Sequence, residues 1–469
     1  MRKIIFFEIN EIPHPIVEQF CQWQPQSTFA RVLPRCASYE TICEDEGILN
    51  PWISWPTLHR GVVNQKHFIS NFGQSLANAD TEYPTIWALL ARAKVPVGVC
   101  GSLHTYPLPD NVADYSFYMP DTFAAGSECF PRDLTKFQEF NLRMARESSR
   151  NVSSSFDWQS ALSFLASAPG LGLKPRTAID VGLQLLSEQS ARWKKVRRRS
   201  YQAMLAFDVY YKYLEKNRPA FSTFFTNHVA SSMHRYWAAR FPSDYATMGF
   251  DQEWIRTYAG EIEFTMSKAD ALLRRLVEFA DRNAEYQVWI LSSMGQAATE
   301  AQPVETQLYL KHKDTFMTYC GVARDQWQEQ PAMLPRVTMT IARDKIERVV
   351  DVLKSLQVDG QLVDWGRLND EQVFIKLGQR NLHTHADCVT RNGSPVPLAT
   401  LGFEHTEIDD LSGTTAYHIP QGCLFIYDPR EAKRSVGRTT ISTLDIAPAV
   451  LRNFGVERPA YMNRAVGLG

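Results

Sequence analysis

No apolar run in this sequence approaches the roughly 20 residues a helix needs to cross a bilayer, so a membrane-spanning class is not expected. The eight cysteines, at positions 21, 36, 43, 100, 129, 320, 388 and 423, include no Cys-x-x-Cys pair. That spacing gives neither a zinc finger nor a disulfide scaffold and reads as reduced thiols of a cytoplasmic protein. Charge of one sign is not in excess: 50 basic residues against 51 acidic leave a formal net charge of −1. No global field therefore draws in nucleic acid or an anionic membrane, and no nucleic-acid partner is expected. Internal repeats and low-complexity tracts do not occur either. Aromatics are plentiful, with 26 Phe, 18 Tyr and 11 Trp in 469 residues, enough to bury a large globular core.

The chain opens with Lys3-Ile4-Ile5-Phe6-Phe7-Glu8-Ile9, an apolar run of the kind found in buried parallel strands, rather than a signal peptide. Helical spacing follows around Ile16, Val17 and Phe20. Thr85–Ala93 reads as a helix leading into a strand over Val95–Gly101, and that alternation is the rhythm of a doubly wound α/β sheet. Further core strands are expected over Ala220–Thr226, Tyr286–Leu291 and from Gly422. Helices are expected over Ser200–Glu215 and Glu253–Asn283. The rhythm loosens over residues 121–207, a mainly helical insertion and candidate lid, and over 300–395, an α+β insertion. The expected core is thus 1–120, 208–299 and 396–469.

The stretch Pro51-Trp52-Ile53-Ser54-Trp55-Pro56-Thr57-Leu58-His59-Arg60 carries the first chemical signal. If Pro56 opens a helix, Ser54 lies at its N-terminus, where free N–H groups and the dipole favour a phosphate. Ser54 is then either a nucleophile or an N-cap. His104, beyond a strand's carboxyl end, either lines a pocket or belongs to a polar loop. The basic run Arg192–Arg199 reads as a solvated helix face or a nucleic-acid or phosphate site. His383 and His385 share a face if extended and read as a metal pair or a polar turn before Asn392-Gly393.

Taken in order, Lys3–Asn10, Ser54-Trp55-Pro56, Phe224–Asn227 with His234, Tyr417–Ile426 and Ser442–Pro448 resemble the alkaline phosphatase superfamily. The nearest branch is type I phosphodiesterase/nucleotide pyrophosphatase. The resemblance implies a central, mostly parallel sheet with helices on both faces and two inserted subdomains. It also implies phosphate-ester chemistry with a serine nucleophile and two metal ions. The ligands depart from that pattern. The family's first Asp is Asn10 here, its Asp-x-x-x-His is Ala230 with His234, and its Ser-Asp-His-Gly is Ser292-Ser293-Met294-Gly295. Three carboxylates and one imidazole are missing, so a two-zinc site is not expected and at most one divalent ion, on His234 and His418, remains. Glu8, Glu11 and His228 are the residues that would substitute for the missing ligands.

Two functions follow from this resemblance. One is a divergent phosphodiesterase-like hydrolase or transferase, with Ser54 attacking, His234 and His418 assisting, and Asn10, Thr57, His59, His104 and His228 lining the substrate site. The other is a catalytically inactive relative that binds a phosphorylated or glycosyl-phosphate ligand. Either way the partner is a phosphate-containing small molecule or a glycan-linked substrate.

Overall fold

Strand β1 (Lys3–Ile9) is buried along all but its first residue, and its side chains feed two different cores. Ile5, Phe7 and Ile9 pack on one face with Phe224, Val288, Ile290 and Phe425. Ile4 and Phe6 pack on the other with Phe221, Trp289, Leu291 and Leu424. Such two-sided burial is the condition for a parallel sheet covered by helices on both faces. The computed structural model describes residues 1–147, 170–332, 334–382, 389–431, 437–463 and 468.

The central sheet of eight strands contains β1, β2 (Ala37–Ile42), β3 (Val97–Cys100), β4 (Phe117–Met119), β5 (Phe221–Thr226), β6 (Tyr286–Leu291), β19 (Gln421–Tyr427) and β20 (Thr439–Ser442). Their spatial order is β20-β2-β19-β6-β1-β5-β3-β4. The β1–β5, β1–β6, β3–β5, β3–β4 and β2–β20 pairs are parallel. β19 is antiparallel to both of its neighbours, β6 and β2, so it alone runs against the rest. The expected fold class is therefore found, with all five expected core strands in one sheet. Three strands of this sheet, β2, β4 and β20, were not expected. In β2 only Ala37 and Thr41 are buried, with half-buried Ser38, Tyr39 and Glu40 between them, and it does not read as an apolar run.

One face is covered by His14–Trp23, Arg198–Asn217 and Glu261–Arg282, through residues such as Phe20, Phe207, Tyr210 and Leu272. The other is covered by Pro51–Arg60, Ile86–Arg92 and Ile446–Asn453, through Trp55, Leu58, Leu90 and Val450. The long helix expected over 253–283 is two helices, Gln252–Tyr258 and Glu261–Arg282, separated at Ala259-Gly260. Arg192 and Lys195 of the basic run are exposed, but Arg197 and Arg198 are not part of a solvated face. Arg197 forks onto Glu261 and Arg198 onto Glu188, both acids nearly fully buried.

Two compact units emerge. The first holds the sheet, its helices and the hairpin β7 (Gly295–Ala298) with β18 (Ala416–Ile419). Arg198–Asn217, the first half of which falls in the expected insertion, packs within this unit's main core. The second spans residues 303–413 and has a core of its own. Its strands are β8 (Thr306–Leu310), β9 (Trp327–Gln330), β10 (Arg336–Ile341), β11 (Leu356–Val358), β12 (Gln361–Leu362), β13 (Asp364–Arg367), β14 (Gln372–Lys376), β15 (Val389–Arg391), β16 (Ser394–Pro395) and β17 (Phe403–Glu407). They form the sheets β13-β14-β10-β9, β12-β11-β15-β16 and β17-β8. His383 and His385 lie outside the described residues.

Gly295 opens β7 where β19 passes closest, and a Cβ there would stand 2.2 Å from the Gln421 carbonyl oxygen and 2.8 Å from Pro13 Cβ. Gly295→Ala is expected to lower stability by about 1–3 kcal/mol, the usual result of overpacking. Gly182→Ala, in an open helical position with nothing within 4 Å, is expected to be neutral or stabilising by up to about 1 kcal/mol. Urea denaturation of the two variants against the parent protein measures both.

Candidate functional site

The ladder from β1 to β5 ends as Asn10 N–H reaches Thr226 O at 3.0 Å. The next residue, Glu11, takes a left-handed backbone with φ of 56°, which a non-glycine residue adopts at a cost of about 1–2 kcal/mol. The turn delivers its carboxylate into a pocket where it is only 3% exposed. There Oε2 meets His234 Nε2 at 2.8 Å, His418 Nε2 at 3.3 Å and Gln296 Nε2 at 2.5 Å. Oε1 accepts from Asn10 Nδ2 at 2.7 Å. His234 comes from the helix His228–Arg240, and His418 and Gln296 face each other in register across the β18–β7 pair.

The far sides of both rings are fixed. His234 Nδ1 lies 2.7 Å from Ala416 O, and His418 Nδ1 lies 2.7 Å from Leu49 O. A carbonyl only accepts, so each Nδ1 carries a hydrogen and each Nε2 is turned to Glu11. The two Nε2 atoms and the Glu11 oxygen lie within 4.8 Å of one another, a carboxylate–bis-imidazole donor set of the kind that holds a divalent ion. Gln296 Oε1 is buried nearby without a partner. Burial alone would push the Glu11 carboxyl up, but the facing His418 and His234 outweigh it and hold Glu11 far below the usual carboxylate range. Burial alone would lower His418; the Glu11 carboxylate overcomes this and raises it.

Ser54 is placed differently from the expectation. The helix begins at Pro51, and it is Pro51, not Pro56, that occupies the first position. Ser54 therefore lies one turn in, its N–H bonded to Asn50 O at 2.9 Å. Its Oγ is fully buried and lies 2.7 Å from Ser293 Oγ, at the end of β6. Pro56 is inside the helix and has no N–H to give the carbonyl four residues earlier, Trp52 O. His104 fills that gap, donating from Nε2 to Trp52 O at 2.7 Å while its ring stacks on Phe72.

The other residues expected around Ser54 are engaged elsewhere. Asn10 Oδ1 accepts from Trp55 Nε1 at 2.7 Å, and Asn10 Nδ2 donates to Asn227 Oδ1 as well as to Glu11. Thr57 Oγ1 donates to Asp45 at 2.7 Å and meets His67 Nε2 at 2.9 Å. His67 Nδ1 accepts from Ile69 N–H, so the Nε2 hydrogen points at Thr57. His59 Nε2 pairs with the buried Glu8 at 2.8 Å, and Glu8 also accepts from Ser102. His228 bonds Thr226 Oγ1 and Thr265 O. The structure thus brings His234 and His418 together on Glu11, and ties His59, His104 and His228 to separate partners. Glu11, weighed only as a substitute ligand in the sequence, is the centre. Its signal was a carboxylate two residues past the end of a mostly apolar strand.

No protein-family model matches the chain, and neither does any curated protein sequence. Among solved structures it is similar to murine ectonucleotide pyrophosphatase/phosphodiesterase 5, an inactive form in complex with AMP. Identity is 12% over 100% of this chain and 97% of that one, with a TM-score of 0.42. It is similar to wild-type alkaline phosphatase PafA at 12% identity, over 100% of this chain and 98% of that one, with a TM-score of 0.42. Phosphonoacetate hydrolase from Sinorhizobium meliloti 1021, in complex with phosphonoacetate, shares 12% identity over 95% of this chain and 94% of that one, with a TM-score of 0.40. The likeness is one of fold.

Burial pushes His67 and His104 down to about 3 and His228 to about 4. Unfolded histidine titrates near 6.5, so between about pH 6.5 and 4 the unfolded chain takes up protons that the folded one refuses. Stability is therefore lost as pH falls through that window. The Glu11–His418 pair works in the opposite sense for its histidine. The raised His418 contributes fully below about pH 6.5 and is lost as pH rises through its folded value, while the lowered Glu11 contributes above about pH 4.5. Melting temperatures of chelator-treated protein are expected to fall from pH 7 to pH 4. In His104→Gln, whose amide can still donate to Trp52 O, the fall should be shallower by about one proton.

Proposed function

We propose that the protein holds a small phosphate ester at a centre built on one divalent cation instead of two. The observation that carries this reading is the shared target of His234 and His418. Both present Nε2 to one buried carboxylate oxygen, with Nδ1 locked on backbone carbonyls. Glu11, His234 and His418 fit a cation as donors, since carboxylate and imidazole suit zinc or a comparable divalent metal. When bound there, the ion would supply positive charge to a phosphoryl oxygen. Gln296 steadies the Glu11 oxygen, and Asn10 holds the other one.

The positions where the resemblance places further ligands are Asn10, Ala230, Ser293 and Met294, which bring no charge. Ser54 Oγ has another hydroxyl as its partner and no base, whereas a serine nucleophile needs a base, a depressed pKa or a metal. These features favour binding without serine turnover. A second reading, hydrolysis or transfer by Ser54 with His234 and His418 moving protons, has one observation in its favour. The Ser54 hydroxyl does not cap its own helix, so exchanging the Ser293 bond would free it for a substrate.

Calorimetric titration of dialysed protein with Zn²⁺ or Mn²⁺ is expected to give one equivalent per chain. Glu11→Gln should weaken it by more than the ~10–100-fold typical of losing an outer partner. AMP or a nitrophenyl phosphodiester should bind more tightly with the ion present, and without release of product. Two equivalents of zinc retained through dialysis would overturn the one-cation centre. Turnover that disappears in Ser54→Ala would establish the second reading.

A further inference from the structure

The helix Pro175–Ser190 is turned the opposite way from an ordinary surface helix. Its buried residues are polar: Thr177, Gln184 and Glu188. Its exposed residues include Ile179, Leu183 and Leu186, which are 61%, 60% and 69% exposed. Those three are spaced four and three apart and so share one face. Ala178 and Gly182, on the same side, are exposed as well.

Polar residues fasten the helix, together with Val181, which packs against the main core. Gln184 Nε2 donates to Lys194 O at 2.8 Å and to Glu188 Oε1 at 3.0 Å. Glu188 takes both arms of Arg198, at 2.9 and 2.7 Å. The apolar stripe therefore plays no part in holding the helix to the protein, although soluble helices normally bury that stripe. Exposed cations bracket it, with Lys174 and Arg176 at one end and Arg192 and Lys195 at the other. Of the acids between them, Glu188 is buried and Asp180 half-buried, so the exposed face carries no fully exposed carboxylate.

We infer that this helix docks the protein in the plane of an anionic lipid surface. Ile179, Leu183 and Leu186 would sit among the acyl chains, and Lys174, Arg176, Arg192 and Lys195 among the head groups. An apolar stripe flanked by basic residues is the chemistry of interfacial helices, for which anionic lipid is the complementary partner. At 16 residues it is about 24 Å long and lies on the bilayer, and no helix among the described residues is long and apolar enough to cross one. Because the whole chain carries only −1, the attraction is local to this patch and is screened by salt.

Cosedimentation with phosphatidylcholine vesicles, with and without phosphatidylserine, tests the assignment. Partitioning onto the anionic vesicles should be at least ~10-fold stronger, and added salt should weaken it. The triple variant Ile179→Ser, Leu183→Ser, Leu186→Ser and the quadruple variant Lys174→Gln, Arg176→Gln, Arg192→Gln, Lys195→Gln should each lose ~10-fold or more. All seven positions are exposed, and melting curves check that both variants fold; if one does not, the other decides. Equal binding to neutral and anionic vesicles, no binding to either, or unchanged binding by a folded variant would overturn the proposal. So would a dimer in sedimentation velocity that the triple serine variant disperses, which would assign the face to a second copy of the chain.

Discussion

Glu11 is a carboxylate withdrawn from water, and much of the first unit is arranged to make that tolerable. Removing such a charge from solvent costs several kcal/mol unless close partners replace the hydration. Four side chains do so here: His234, His418, Gln296 and Asn10. They arrive from a helix, two hairpin strands and the residue before. Each demand on Glu11 becomes a demand on an element. The β7–β18 hairpin must keep the register that sets Gln296 opposite His418, since a slip of one residue would turn both side chains to the other face. The left-handed turn at Glu11 must be held against its own preference.

A few residues away the opposite strategy rules. Asn10, Ser54, Ser293 and Met294 are all buried, and apart from the Asn10 bond to Glu11 the first three satisfy one another or their neighbours with neutral hydrogen bonds. A neutral network of this kind is stable without an ion, because no charge is left uncompensated. The helix below it contains its own repair. Pro56 breaks the internal ladder, and the imidazole of His104, reaching in from the end of β3, supplies the missing donor. Asp45, Thr57 and His67 make a second closed set at that helix.

The sequence made the sheet legible and the wiring of its polar residues much less so. β1, β3, β5, β6 and β19 are apolar runs buried on both faces, so composition and length sufficed to find them. β2 has Tyr39, Glu40 and Thr41 at its centre and owes its place to pairing with β19 and β20, which no local pattern announces. Pro51 and Pro56 each satisfy the rule for a helix start. The rule alone does not choose between them, and the tertiary contacts that choose Pro51 are remote in sequence. Histidines near a suspected site read as converging on it, yet His59, His104 and His228 each answer a different buried demand: Glu8, Trp52 O, and Thr226 with Thr265. Hydrogen-bond debts of this kind exist only once the backbone is in place.

β19 has an effect on how the protein is made. It lies between β6 and β2, yet the ribosome reaches it only after residues 303–413 have been synthesised. Until then β6 and β2 have no strand between them, and each presents a bare row of backbone donors and acceptors flanked by apolar side chains. Such edges are templates for pairing with other chains. The nascent protein is therefore most vulnerable to aggregation late in translation, when most of its core already exists, and a ribosome paused or truncated shortly before residue 421 would release the most hazardous fragment.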